Sequence, residues 1–168
     1  MDTAVNGTVY ERELKLILAG NDEKLGKIGW IREDVKNRIK SRPFLVVRAA
    51  GSHGFDIIII RHDLSIPIEI KSSKEKILNF SSSSHRSQEQ AEEYVEMITK
   101  TGVMPLYAYR LKNVNGDPWR IFTFDSEYEG RYRIFAKNIP KLEITKGGAY
   151  SMKWEKGLQL TSLLEYLF

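Results

Sequence analysis

Phe55-Asp56-Ile57-Ile58-Ile59-Ile60-Arg61 and, after a short turn at His62-Asp63, Ser65-Ile66-Pro67-Ile68-Glu69-Ile70-Lys71 are the most strand-like runs of this 168-residue chain. Four consecutive isoleucines predict a strand buried on both faces. The flexible Gly51-Ser52-His53-Gly54 turn precedes it. In the second run alternate residues share a face. Glu69 and Lys71 therefore point the same way, about 6.6 Å apart along the strand, while Ile66, Ile68 and Ile70 anchor the other face.

With Asp56 on the neighbouring strand, its carboxylate can converge with Glu69. Two carboxylates, a carbonyl and waters make a hard-oxygen site suited to Mg²⁺. Such an ion polarises a phosphate oxygen and lowers the pKa of a bound water. Lys71 would orient or deprotonate that water, or neutralise charge building on phosphorus. A second ion would need another carboxylate, and an N-terminal helix offers Glu11 or Glu13, on opposite shoulders of its apolar stripe. Glu-x-Lys is also an ordinary solvated edge pair, and aspartate after a glycine turn is also a turn former. Placement beside isoleucine-burying runs favours the site, because a charge there needs a partner or a metal.

Outward from this centre, Tyr10, Leu14, Ile17 and Leu18 recur at helical spacing and Gly20-Asn21-Asp22 stops them. Trp30, Ile31, Val35 and Ile39 predict a short amphipathic helix ended by Pro43, and Phe44 to Val47 a strand. Gln88 to Lys100 is a predicted helix stopped by Gly102. Val103 to Arg110 and Trp119 to Phe124 are predicted strands, Tyr132 to Phe135 a strand-like piece, and Leu158 to Leu167 a final apolar helix. No internal repeat occurs, and Ser81 to Ser84 is too short for a linker. The order is that of one α/β layered domain.

Composition narrows the chemistry. No cysteine is present, which excludes a disulfide framework, Cys-ligated zinc, an iron–sulfur cluster and a thiol nucleophile. The longest aliphatic run, Ile57 to Ile60, is far too short to span a membrane, and the first residues lack a signal-peptide layout. A soluble cytoplasmic protein is expected. The net charge of +4 points only weakly to an anionic partner.

Beyond these separate features, the combination of Gly7 with Tyr10-Glu11-Arg12-Glu13-Leu14, then Val46-Val47-Arg48-Ala49-Ala50-Gly51-Ser52, Phe55-Asp56-Ile57-Ile58 and Ile68-Glu69-Ile70-Lys71-Ser72-Ser73-Lys74 resembles the archaeal Holliday junction resolvases of the PD-(D/E)xK nuclease superfamily. The likeness continues through Gln90, Tyr94, Pro105-Leu106-Tyr107-Ala108 and Trp119-Arg120-Ile121. It implies a restriction-endonuclease-like mixed central β-sheet flanked by helices. It also implies a Mg²⁺-dependent endonuclease, with Mn²⁺ as a substitute, acting as a homodimer that makes paired nicks across a four-way DNA junction. By position, Glu11, Asp56 and Glu69 look like the metal-holding carboxylates and Lys71 like the catalytic lysine. Arg12, Arg48 and Ser52 match junction-binding or catalytic positions. Phe55 stands where the family carries proline, and residues 21–42 form an insertion.

Lys74, Lys76 and Arg86 flank the serine-rich segment beside the catalytic strand and are expected to contact phosphates. Arg32, Lys36, Arg38 and Lys40 in the insertion would extend that surface. His53, His62 and His85 lack ligand spacing. Gln90 and Tyr94, one helical turn apart, resemble a fourth motif of some superfamily nucleases and equally suit an ordinary amphipathic helix. The tail carries Leu164 and Leu167-Phe168 at the spacing of a degenerate sliding-clamp peptide, without the usual glutamine; a core or dimer helix is the competing reading. Two other functions compete with junction resolution: a PD-(D/E)xK nuclease acting on duplex, flap or ends, and a DNA-binding scaffold without catalysis.

Overall fold

The computed structural model describes residues 3–49, 54–83 and 85–168. Its centre is the antiparallel run of β1 (Leu45–Arg48), β2 (Ile57–Arg61) and β3 (Leu64–Ser73). Ile57 faces Ile68 and Arg61 faces Leu64, so Asp56 and Glu69 lie opposite each other just past the last paired residues of β2. Burial on both faces of β2 holds only in part. Ile57 and Ile59 are fully buried, but Ile60 is 38% exposed. Its neighbour β1 is the edge of the sheet, and β1 leaves Leu45 and Val47 exposed as well.

β3 pairs in parallel with β5 (Leu106–Leu111), a geometry that requires a crossover. The crossover is β4 (Ile77–Asn79), α4 (Phe80–Ser83) and the long α5 (His85–Thr101), which Gly102 stops with φ +70°. β6 (Trp119–Phe122) and β9 (Leu158–Gln159) complete a six-stranded mixed sheet in the order β1-β2-β3-β5-β6-β9. Helices flank it, as the expected fold class requires. α1 (Thr3–Leu18) packs on β2 and β3 and buries Leu14, Ile17 and Leu18. α5 covers the other face, where Tyr94 packs against Phe55 and Tyr107.

Three parts depart from the sequence reading. Residues 21–42 hold two helices, α2 (Asp22–Gly26) and α3 (Glu33–Ser41), which bury Leu25, Val35 and Ile39 in the common core. Their cations meet local carboxylates: Arg32 with Asp34, Lys36 with Glu33, Arg38 with Asp34 and Lys40 with Asp22. The strand-like piece at 132–135 is instead helix α6 (Gly130–Asn138). It docks through Tyr132, whose hydroxyl donates to the Ser65 carbonyl and accepts from the Ser65 amide. A second, three-stranded sheet was not anticipated: β4 pairs with β8 (Tyr150–Lys153), and β8 with β7 (Glu143–Ile144).

The tail is core. α7 (Leu160–Leu167) buries Leu160, Leu163, Leu164 and Leu167. Phe168 packs edge-on against Phe44 at 5.5 Å. Arg61, at the turn end of the β2–β3 hairpin, lies over the Phe44 ring at 4.3 Å and donates to the Leu167 carbonyl at 2.8 Å. Its guanidinium also makes a two-pronged pair with Asp63 at 2.6 and 2.9 Å. The residues of the suggested clamp peptide are thus consumed by packing, so binding a clamp would require α7 to leave the core.

Candidate active site

At the opposite end of the same hairpin, Glu11, Arg48, Asp56, Glu69, Lys71 and Arg86 line one polar cleft of about 350 Å³. Each element delivers its residue for a local reason. The strand alternation of β3 turns Glu69 and Lys71 to the face that α5 covers. Asp56 sits where the chain enters β2, and its amide donates to the Ile68 carbonyl at 3.2 Å. The helix period of α1 brings Glu11 to the edge of the cleft.

Glu69 is 5% exposed. Lys71 Nζ lies 3.0 Å from its Oε1, and the Tyr94 hydroxyl 3.2 Å from its Oε2. Burial pushes the Glu69 carboxyl up to about 7, Lys71 opposing and the Asp56 charge adding to the rise. Asp56 accepts the Ile70 amide at 2.7 Å, and burial raises its carboxyl above the ordinary range against that hydrogen bond and the Lys71 and Arg48 charges. Glu11 pairs with Arg48 at 2.7 Å. Burial raises its carboxyl too, with Arg48 opposing and Asp56 adding. The cleft holds three carboxylates that are costly to ionise together.

The tie between Glu11 and Glu13 is broken by contacts. Glu13 turns to the sheet, where it accepts from Trp119 Nε1 at 2.9 Å and from Arg110 through both oxygens at 3.3 Å. Glu11 is the one that faces the cleft.

The three carboxylates line one cleft without forming one coordination sphere. Among the described residues, no three Asp, Glu or His side chains lie close enough together to hold a single ion. Arg48 occupies Glu11, leaving Asp56 and Glu69 as the facing pair. That pair still fits a hard divalent cation, because Mg²⁺ is commonly held by one or two carboxylates together with substrate phosphates and water. Their raised carboxyls indicate a place where added positive charge is favoured.

The other expected contacts divide. Arg48 and Arg86 line the cleft. Arg12 is exposed on α1, Lys74 is exposed after β3, and Lys76 pairs with Glu155 at 2.5 Å. Ser52 and His53 lie outside the described residues. Gln90 and Tyr94 carry more than their sequence pattern required. Both donate to the Gly54 carbonyl, beside Asp56, and their spacing of four on a helix was the available signal.

Such a sheet, with an acid–acid–lysine set where β2 and β3 open, places the protein in the restriction-endonuclease-like α/β class. Over residues 29–167 it matches the model of the family described as archaeal Holliday junction resolvase (Hjc), and the chain belongs to that family. The match includes Asp56, Glu69 and Lys71 but not α1 with Glu11. Among solved structures, it is similar to Archaeoglobus fulgidus Hjc, described as a Holliday junction resolvase from an archaeal hyperthermophile. The two are 21% identical, with a TM-score of 0.55 over 95% of this chain and 96% of that one. That likeness concerns the fold. No curated protein matches the chain.

Proposed function

We propose that this protein is a structure-selective endonuclease that resolves four-way DNA junctions by Mg²⁺-dependent phosphodiester hydrolysis, with Mn²⁺ able to substitute. The observation that carries the reading is the meeting of Asp56, Glu69 and Lys71 in one polar cleft of a chain that belongs to the junction-resolvase family. Asp56 and Glu69 would hold the metal, and Glu11 supplies further negative charge at the rim. The bound ion would polarise a phosphate oxygen and acidify a water.

The remaining chemistry belongs to the chain. Lys71, held 3.0 Å from Glu69, keeps an ammonium beside the reacting phosphate, where it orients the attacking water or offsets charge building on phosphorus. Arg48 and Arg86 contact the flanking phosphates and fix the backbone in the cleft. Lys74, Arg12 and Ser52 extend that contact along the arms.

The reading includes a single nuclease domain, an intracellular location with DNA, and a homodimer, since paired nicks across a two-fold junction suit a C₂ assembly. Among the described residues no helix is long and apolar enough to cross a membrane. Leu164 and Leu167 are buried in α7, so a sliding clamp could engage the tail only if that helix left the core. The deciding experiment compares cleavage of a four-way junction, a linear duplex and a flap over a range of Mg²⁺ concentrations. Symmetric nicks on the junction alone are expected. Preferential cutting of duplex or flap would move the protein to another branch of the superfamily, and no metal-dependent nicking of any substrate would make it a binding scaffold.

A further inference from the structure

One carbonyl next to the site receives two side-chain donors from α5. Gly54 O accepts from Gln90 Nε2 at 2.6 Å and from the Tyr94 hydroxyl. Gly54 has φ +82°, and a Cβ on it would meet Gln90 Nε2 and Tyr94 Oη at 3.0 Å each, so a side chain at this corner would be strained and would press on both donors. The next residue, Phe55, lays its ring flat on Tyr94, with centroids 4.0 Å apart and planes 9° apart. The residue after that is Asp56. On its far side, the same Tyr94 hydroxyl reaches Glu69 Oε2 at 3.2 Å.

The hydroxyl has one proton to give and two acceptors before it. Gln90 resolves the conflict by satisfying the Gly54 carbonyl independently, which leaves Tyr94 able to serve the carboxylate. Stack, carbonyl clamp and carboxylate contact therefore act on the two halves of the candidate metal pair at once: the backbone leading into Asp56 and the head group of Glu69.

We infer that Phe55 and Tyr94 are positioning residues that hold Asp56 and Glu69 at the mutual orientation a divalent cation requires. The inference rests on the metal-dependent nuclease reading. Neither residue needs to touch substrate. Their effect passes through the two carboxylates, as outer-sphere partners act on metal ligands generally.

The test uses Tyr94→Phe, which keeps the stacked ring and removes the hydroxyl that lies between Gly54 O and Glu69 Oε2, and Phe55→Leu, which keeps apolar volume and removes the stack. Phe55→Tyr is the conservative control. Mn²⁺ alone is titrated calorimetrically into the DNA-free protein, and amide exchange is followed at Asp56 and Ile70. The metal concentration for half-maximal nicking is then compared with the junction Kd in EDTA.

Both disruptive variants are expected to weaken Mn²⁺ binding and raise the half-maximal metal concentration about 10- to 100-fold. Exchange at the two amides should quicken and the junction Kd should stay unchanged, while Phe55→Tyr retains near-native values. Variants with a lower Tm but native Mn²⁺ affinity and metal dependence would make Phe55 and Tyr94 ordinary core residues and overturn the inference. A native protein that neither binds Mn²⁺ nor nicks DNA would overturn the nuclease reading itself, and the inference with it.

Discussion

The two ends of the β2–β3 hairpin bury charge in opposite ways. At the turn end, Asp63 is gripped by the Arg61 guanidinium, which holds its carboxyl down to about 2. At the open end, Glu69 is pushed up to about 7 by burial despite Lys71, and Asp56 and Glu11 are raised as well. One end matches an acid to a dedicated cation and ties the chain terminus to the sheet. The other buries its carboxylates beyond what Lys71 and Arg48 offset. A structural ion pair is complete in itself, whereas a functional cluster is left with a capacity that a further cation can fill.

The sharpest way to break this contrast is to remove a carboxylate from the crowded end. Asp56→Asn should abolish metal-dependent cleavage, with a loss beyond the roughly 10- to 100-fold that outer-sphere partners cost, while junction binding in EDTA persists. Cleavage at the native rate would show that the metal is held elsewhere. At the turn end the same kind of change should act on folding alone. Arg61→Leu takes the two-pronged partner from Asp63, leaving it Arg131 at 3.9 Å, and detaches the Leu167 carbonyl, for a loss of about 3 kcal/mol in urea unfolding, with unchanged nicking per folded molecule.

The smallest effect is in pH, where the ends should have opposite signs. Glu69 holds its proton more tightly when folded, so the metal-free protein should lose stability as pH rises from about 4.5 to about 7. Asp63 is the reverse: its contribution is present above about 3.8 and is lost as pH falls toward about 2. Unfolding midpoints in EDTA should flatten over the upper window in Glu69→Gln and over the lower window in Asp63→Asn. Identical slopes in the native protein and both variants would erase the distinction.

Much of the hairpin is legible in the sequence, because period-two burial and the breaks at Gly54 and His62-Asp63 are local properties. The Glu69–Lys71 face followed from the same period. Residues 130–138 misled for an instructive reason. Tyr132, Ile134 and Phe135 suggest a strand, yet Ile134 is 66% exposed while Ala136 and Ile139 are buried. Apolar content was mistaken for apolar burial. The insertion gave its hydrophobic spacing correctly but not the fate of Arg32, Lys36, Arg38 and Lys40, each of which meets a carboxylate close by in sequence or across α2 and α3. Charge counts do not reveal such pairing.

Residue types and short-range spacing were enough to establish a mixed α/β chain without thiol chemistry, with hard-oxygen donors and a lysine at a buried strand end. Long-range placement was not contained in them. That Glu11 rather than Glu13 reaches the cleft depends on how α1 docks, with Trp119 and Arg110 claiming Glu13. That Gln90 and Tyr94 clamp the backbone before Asp56 depends on where α5 crosses the sheet. Local periodicity says which side of an element a residue occupies; only packing between elements that are distant in sequence decides what lies across from it.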